Sequence, residues 1–501
     1  MILNLHQLQN NNMTSQKLIL IVCLLLVFLG FGQERDFTAN LYSTYEKYKE
    51  PSLEKRRIKH TEIQPLINKL STNPQFKVSV VGKSIEGRSL SLISIGTGAT
   101  DVFLWSQMHG DEPTATQAIF DIFNFLTSSD FKSEKENILK NLKLHFLPML
   151  NPDGAEVYQR RNTLGIDINR DALSLQSPEG RILKRVRDSL DADFGFNLHD
   201  QSTYYNAERT DKPATISYLA PAFNYEKDIN EVRANAMKVI VYMNKIIQKY
   251  APGQVGRYND DFEPRAFGDN IQKWGTSAIL IESGGYKNDP EKQEIRKLNY
   301  VSILSAIYSI ANGNYKNIPI SDYDKIPEND RKLFDLKLNN LTYNLLGKNY
   351  TLDVGIHQLE IDGTSNKTYY NSSRVVDQGD LSTYYGYQTL EGKGYSMVGG
   401  KVYPKTLASI KEVAQLKALD LLRSGFTYVR VENIPKGENY VAFPLNIIGK
   451  DFKVPEFKMR VGVIPNFILE DQGGPRYAVI NGFLIDLKTG EGNFKNALIL
   501  R

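Results

Sequence analysis

Apolar and polar positions change period several times along the chain, and each change marks an element. Lys77–Val81 and Leu90–Ile95 alternate apolar with polar residues on either side of a Gly- and Ser-rich stretch from Gly82 to Gly87. That period of two predicts a hairpin of half-buried strands. DVFLWS (Asp101–Ser106), LKLHFLPML (Leu142–Leu150), DFGFNLH (Asp193–His199) and SAILIES (Ser277–Ser283) are short apolar runs bounded by turn residues. Runs of that length read as buried strands. Helical spacing separates them: Ala118, Ile119, Ile122, Phe123 and Leu126 share one face after Pro113, and Asp228–Lys249 reads as a long helix. Asp36–Leu70 is polar and helix-like, ending in helically spaced Ile63, Leu66, Ile67 and Leu70. Strands alternating with helices predict an α/β core.

The pattern shifts after about Lys316. From Leu333 onward the chain reads as short strands rich in Tyr, Asn and Gly, interrupted by one helix at Thr406–Arg423. Pro319 and Pro327 lie within Tyr315–Asp330, which places the boundary there. The expected organisation is an α/β domain over 33–318 and a β-rich accessory domain over 325–501. The accessory stretches YYNSS and TYYGYQ offer a face to a glycan or a protein, although tyrosine-rich strands are more often plain packing surface.

Residues 1–32 read as a signal peptide. Lys17 precedes the fourteen-residue apolar run Leu18–Phe31, and polar QERDF follows. A membrane-spanning helix needs about 20 apolar residues and a signal-peptide core about 7–15. Met13 is the expected initiator, with cleavage near Gly30–Gln33. An uncleaved anchor is the competing reading. The only cysteine, Cys23, lies inside this run. The mature chain therefore has no disulfide and no thiolate ligand, and any metal site must use His, Asp or Glu. The expected location is periplasmic or extracellular, with no stable membrane anchor after cleavage.

Charge excludes one class of partner. The chain has 61 basic and 57 acidic residues, a net +4, so nucleic acid is not an expected partner.

Six histidines occur, and His109 and His199 stand at the ends of predicted core strands. Glu112 follows His109 by three residues, at the strand-to-helix junction. A His and a Glu so spaced can face one centre, and His199 from a distant strand completes a His₂Glu set with a fourth position left for water. That is the catalytic arrangement for one Zn²⁺. The tetrapeptide HxxE alone is common by chance. Glu282 shifts the balance, because it ends the apolar run AILIE before Gly284 and Gly285 and presents a carboxylate fit to move a proton. Arg160-Arg161-Asn162 and Asp167-Ile168-Asn169-Arg170 add planar donors suited to a substrate carboxylate or an oxyanion. Paired arginines are also common in plain solvated loops.

Taken in order, these motifs resemble the zinc carboxypeptidases of the carboxypeptidase A type, over roughly Ser79–Gly285. GKSIEGRSL (Gly82–Leu90), HGDE, NPDG at Asn151, RRNT, DINR, NLHDQ and the AILIE run carry the resemblance. It implies a mixed central β-sheet of about eight strands flanked by helices, with zinc at the strand ends. It further implies His109, Glu112 and His199 as ligands, Glu282 as general base and Arg161 as the oxyanion-stabilising arginine. Asn169 and Arg170 would hold the terminal carboxylate of a peptide with a free C-terminus. The family's substrate-covering tyrosine has Tyr258 as its nearest counterpart, in GRYNDDFEPRAFGDN, where Arg265, Phe267 and Asp269 also offer themselves as pocket residues. The expected function is an exported zinc carboxypeptidase. The rivals are a peptidoglycan stem-peptide amidase or N-acyl amino acid deacylase on the same scaffold, a catalytically silent binding protein, and a structural cell-surface protein.

Overall fold

The computed structural model describes residues 37–363, 366–492 and 497–501. The signal-peptide reading of residues 1–32, including Cys23, falls outside the described residues. Among the described residues, no helix is long and apolar enough to cross a membrane.

The first part of the chain is built on eight strands: β1 (Lys77–Lys83), β2 (Ser89–Ile95), β3 (Thr100–Ser106), β4 (Leu142–Leu147), β5 (Phe194–Asp200), β6 (Ile216–Leu219), β7 (Val255–Arg257) and β8 (Ser277–Ser283). They form one mixed sheet in the order β1-β2-β4-β3-β5-β8-β6-β7. The central strands β4, β3, β5 and β8 are parallel, and antiparallel pairs flank them at β1/β2, β2/β4 and β8/β6. The expected mixed sheet is therefore present.

Residue type explains why the centre reads as unbroken apolar sequence. On β3, Val102 and Leu104 enter one core with Ile119 and Phe123 of the helix Thr114–Thr127, whereas Phe103 and Trp105 enter another with Ile182 and Phe267. A strand covered by helices on both faces has no polar side to show. Phe103 is 0% exposed, and a side chain of that kind stabilises the fold by about 1.5–3 kcal/mol on burial.

Two predicted helices break up. The Asp36–Leu70 region contains a helix over 37–44, short 3₁₀ turns at Tyr45–Lys47 and Pro51–Leu53, and a helix at His60–Ser71. Thr406–Arg423 is a strand, Leu407–Ser409, followed by two short helices, Ile410–Val413 and Ala418–Arg423. The ladder takes Leu407 against Val431, and folding back lets Val413 and Leu422 both reach the core of Val429 and Val431. A straight helix could not serve both contacts.

Among the described residues, the C-terminal region forms a sheet of eight strands and one of six. It is joined to the first part rather than hung from it. Asn329–Asp330 pairs antiparallel with Asn206–Ala207, and the preceding Tyr323 is buried, its hydroxyl accepting from Ala220 N at 2.9 Å.

Candidate metal centre and substrate cleft

Strand register brings the chemistry to one edge of the sheet. His199 lies directly opposite Glu282 across the β5/β8 pair, at the carboxyl ends of both strands. In open α/β sheets that edge is where ligands bind. His109 and Glu112 come from the turn after β3, closed by Glu112 N donating to His109 O at 3.1 Å. Gly110 sits inside this turn. A Cβ there would collide with the backbone of Gly154 and Ala155, so only glycine lets the turn approach the helix Pro152–Val157. Asn151 caps that helix through its Oδ1, which accepts from Gly154 N. The NPDG motif is thus a helix start as well as a turn.

His109, Glu112 and His199 are buried, with donor atoms all within 4.8 Å of one another. The two imidazoles face each other Nδ1 to Nδ1 at 3.2 Å, and the Glu112 carboxylate reaches one at 2.8 Å and the other at 2.7 Å. Two zinc ligands at tetrahedral angles lie roughly 3.3 Å apart, given bonds of about 2.05 Å. The three side chains fit such an ion. His109 Nε2 lies 3.1 Å from Asp167 Oδ1, so the carboxylate accepts a hydrogen bond from Nε2–H and leaves Nδ1 to serve as the metal ligand. Electrostatics agree with a cation site. Burial lowers the His109 pKa, but the Glu112 and Asp167 carboxylates outweigh it and raise it to about 9. Burial holds His199 below its ordinary value. Burial raises Glu112, and the two histidines more than reverse that, so it stays ionised.

The other described histidines are accounted for locally. His145 lies between Ser94 and Asp101, His60 against Ser89 O and Gln64, and His357 against Leu333 O.

Residues 63–243 match the family model described as zinc carboxypeptidase. Carboxypeptidase SOL1 of Arabidopsis thaliana is 28% identical over 29% of this chain and 35% of its own length. Carboxypeptidase E of Caenorhabditis elegans is 30% identical over 19% of this chain and 25% of its own. The chain thus spans about a third or less of the length of these relatives. A metallo-carboxypeptidase structure from Burkholderia cenocepacia aligns over 51% of this chain and 69% of its own, with 16% identity and a TM-score of 0.41. Residues 63–243 are thus similar to a zinc carboxypeptidase domain.

Of the two adjacent arginines, Arg160 rather than Arg161 lies against the candidate metal centre. Arg161 is exposed, and its Nη1 donates to Gly165 O at 2.9 Å. Arg160 Nη1 instead lies 3.2 Å from Glu112 Oε1 and 3.0 Å from His109 Nδ1, while Nε donates to Asp167 Oδ2 at 3.0 Å. The pair lies at a bend in the chain, which turns Arg160 toward the metal-ligand set and Arg161 away from it. Sequence reasoning also passed over Asp167, whose signal was a carboxylate two residues before Asn169 in DINR.

Asn169 Oδ1 accepts from Phe267 N at 3.0 Å, and Arg170 pairs with Glu263 at 3.5 Å. The 256–270 loop is thereby tied to the Asn-Arg pair. Phe267 is fully buried, Arg265 is exposed and pairs with Glu263, and Asp269 Oδ1 accepts from Glu263 N at 3.0 Å. Glu282 is partly exposed, yet its Oε2 is buried with no hydrogen-bond partner among the described residues. Burial first, then the Glu112 charge, lifts its pKa well above the usual carboxylate range. Tyr258 stands edge-on to Tyr205 with ring centroids 5.6 Å apart. Burial raises its hydroxyl pKa, and the nearby Glu282 charge raises it further.

Proposed function

We propose that this chain is an exported zinc carboxypeptidase that hydrolyses the C-terminal bond of peptides. The observation that carries the reading is the convergence of His109, Glu112 and His199, whose one-per-residue donor atoms all lie within 4.8 Å of one another. Zinc held there would supply Lewis acidity toward the scissile carbonyl and lower the pKa of a water. Glu282, with an unpartnered Oε2, takes the proton of the attacking water and delivers it to the leaving amine. Arg160, in place of Arg161, offers its guanidinium N–H groups to the developing oxyanion. Asn169 and Arg170 hold the terminal carboxylate, the arginine by a two-pronged contact that lysine could not make. Tyr258 lies over the substrate beside Glu282. Export rests on Lys17 and the apolar run Leu18–Phe31.

The test pairs metal analysis with a peptide panel bearing free, amidated and γ-linked C-termini. A bound zinc and cleavage of the free C-termini alone support the reading. Preference for γ-linked substrates would favour the stem-peptide amidase. Glu282→Gln should keep the zinc and lose turnover by roughly 10²–10⁴-fold. Near-normal turnover would remove Glu282 from its role.

A further inference from the structure

The loop that follows His199 is gripped by the C-terminal sheet, one residue away from the cleft. Tyr204 stacks flat on His357, with ring centroids 3.5 Å apart and planes 4° from parallel. Its hydroxyl donates to Asp335 Oδ2 at 2.9 Å, and its carbonyl accepts from Leu333 N at 3.2 Å. Tyr387 donates its hydroxyl to Thr203 O at 2.5 Å. Asn329 Nδ2 reaches Gln201 Oε1 at 3.0 Å, and Asn206 Oδ1 accepts from Lys332 N at 3.0 Å. The loop after Glu282 is part of the same junction. A Cβ on Gly285 would strike the Tyr387 hydroxyl, so glycine is what lets the two segments touch. The next residue along the gripped loop, Tyr205, turns the other way and packs against Tyr258.

We propose that the C-terminal sheet is a wall of the carboxypeptidase cleft, with Tyr204, Asp335, His357 and Tyr387 acting as positioning residues that seat Tyr205 against Tyr258. The proposal rests on the peptidase reading for its substrate side. The physical argument is one of confinement. A loop of polar and aromatic residues beside a substrate site stays ordered only where its backbone groups find fixed partners. Here those partners come from residues 329–387, which gives the β-rich region a task at the site.

The test uses the full chain carrying Tyr387→Phe with His357→Ala, and Tyr387→Phe alone, which removes a single hydroxyl should the double variant fail to fold. Leu346→Ser, at a hairpin tip 94% exposed, is the control. Amide hydrogen exchange over residues 201–208, zinc content, and kcat and KM on a free C-terminal peptide are measured. The double variant should exchange roughly tenfold faster in that segment, with KM up by about the same factor. Zinc content should be unchanged and kcat within about threefold. Tyr205→Ala should reproduce the KM effect. Unchanged exchange, or unchanged KM beside faster exchange, overturns the proposal. Absence of hydrolysis by the unaltered chain would instead sink the peptidase reading, and exchange would then decide the seating on its own.

Discussion

Arg160 and Arg161 are adjacent, identical in chemistry and opposite in orientation, so they form a matched pair for testing the site. Arg160→Ala removes a guanidinium 3.0 Å from His109 Nδ1 and 3.2 Å from Glu112 Oε1. Removing one donor from an oxyanion site costs about 10²–10³-fold in kcat, or about 2.7–4 kcal/mol. The Arg160 side chain is 43% exposed, and water screening places the expected loss at the lower end, about a hundredfold. Zinc should be retained or held more tightly, because a positive charge beside the ion has gone. Arg161→Ala removes only an exposed hydrogen bond to Gly165 O, and kcat should stay within about twofold. Steady-state kinetics on a free C-terminal peptide, with metal content measured alongside, compare the two. A hundredfold loss in Arg161→Ala beside near-normal Arg160→Ala would show that the loop is turned the other way in the working enzyme.

Two further substitutions probe the surroundings of the site. Asp167→Ala frees His109 Nε2 from its carboxylate and should weaken zinc binding by about 10–100-fold in chelator competition, with unaltered affinity refuting the orienting role. Burial raises the Asp269 pKa to about 7, far above its unfolded value. The unfolded chain therefore releases this proton first, and stability falls as pH rises from about 4 through 7. Asp269→Asn should flatten that segment of a denaturant-midpoint profile and stabilise the chain at pH 8; a profile parallel to the unaltered chain's would exclude the effect.

What could be read from sequence was whatever local patterning decides. Strands buried on both faces announce themselves by unbroken apolar runs, and all four such runs became β3, β4, β5 and β8 within a few residues of their predicted bounds. The stretch at Thr406–Arg423 misled because an apolar stripe of helical period says only that one side is buried. The partner of Leu407 turned out to be Val431 on a strand that comes after it, and pairing of that range has no local signature. The broken helix at 36–70 is different, since Pro51 stood in plain view as a breaker.

At the site, the same division separates ligands from their surroundings. His199 and Glu282 sit at strand ends, where the register across β5/β8 sets them opposite each other, and His109 with Glu112 follows in the tight turn after β3. Arg160 and Asp167 sit in an irregular loop, where a side chain's direction depends on backbone turns that composition does not encode. Their mutual ion pair and the contact of Asp167 with His109 are what fix the loop's facing. A carboxylate needing a cation, and an imidazole needing its far nitrogen held, were demands the metal set itself imposed. Asking of the sequence which residue met each demand would have singled out Asp167 and then the arginine in reach of it.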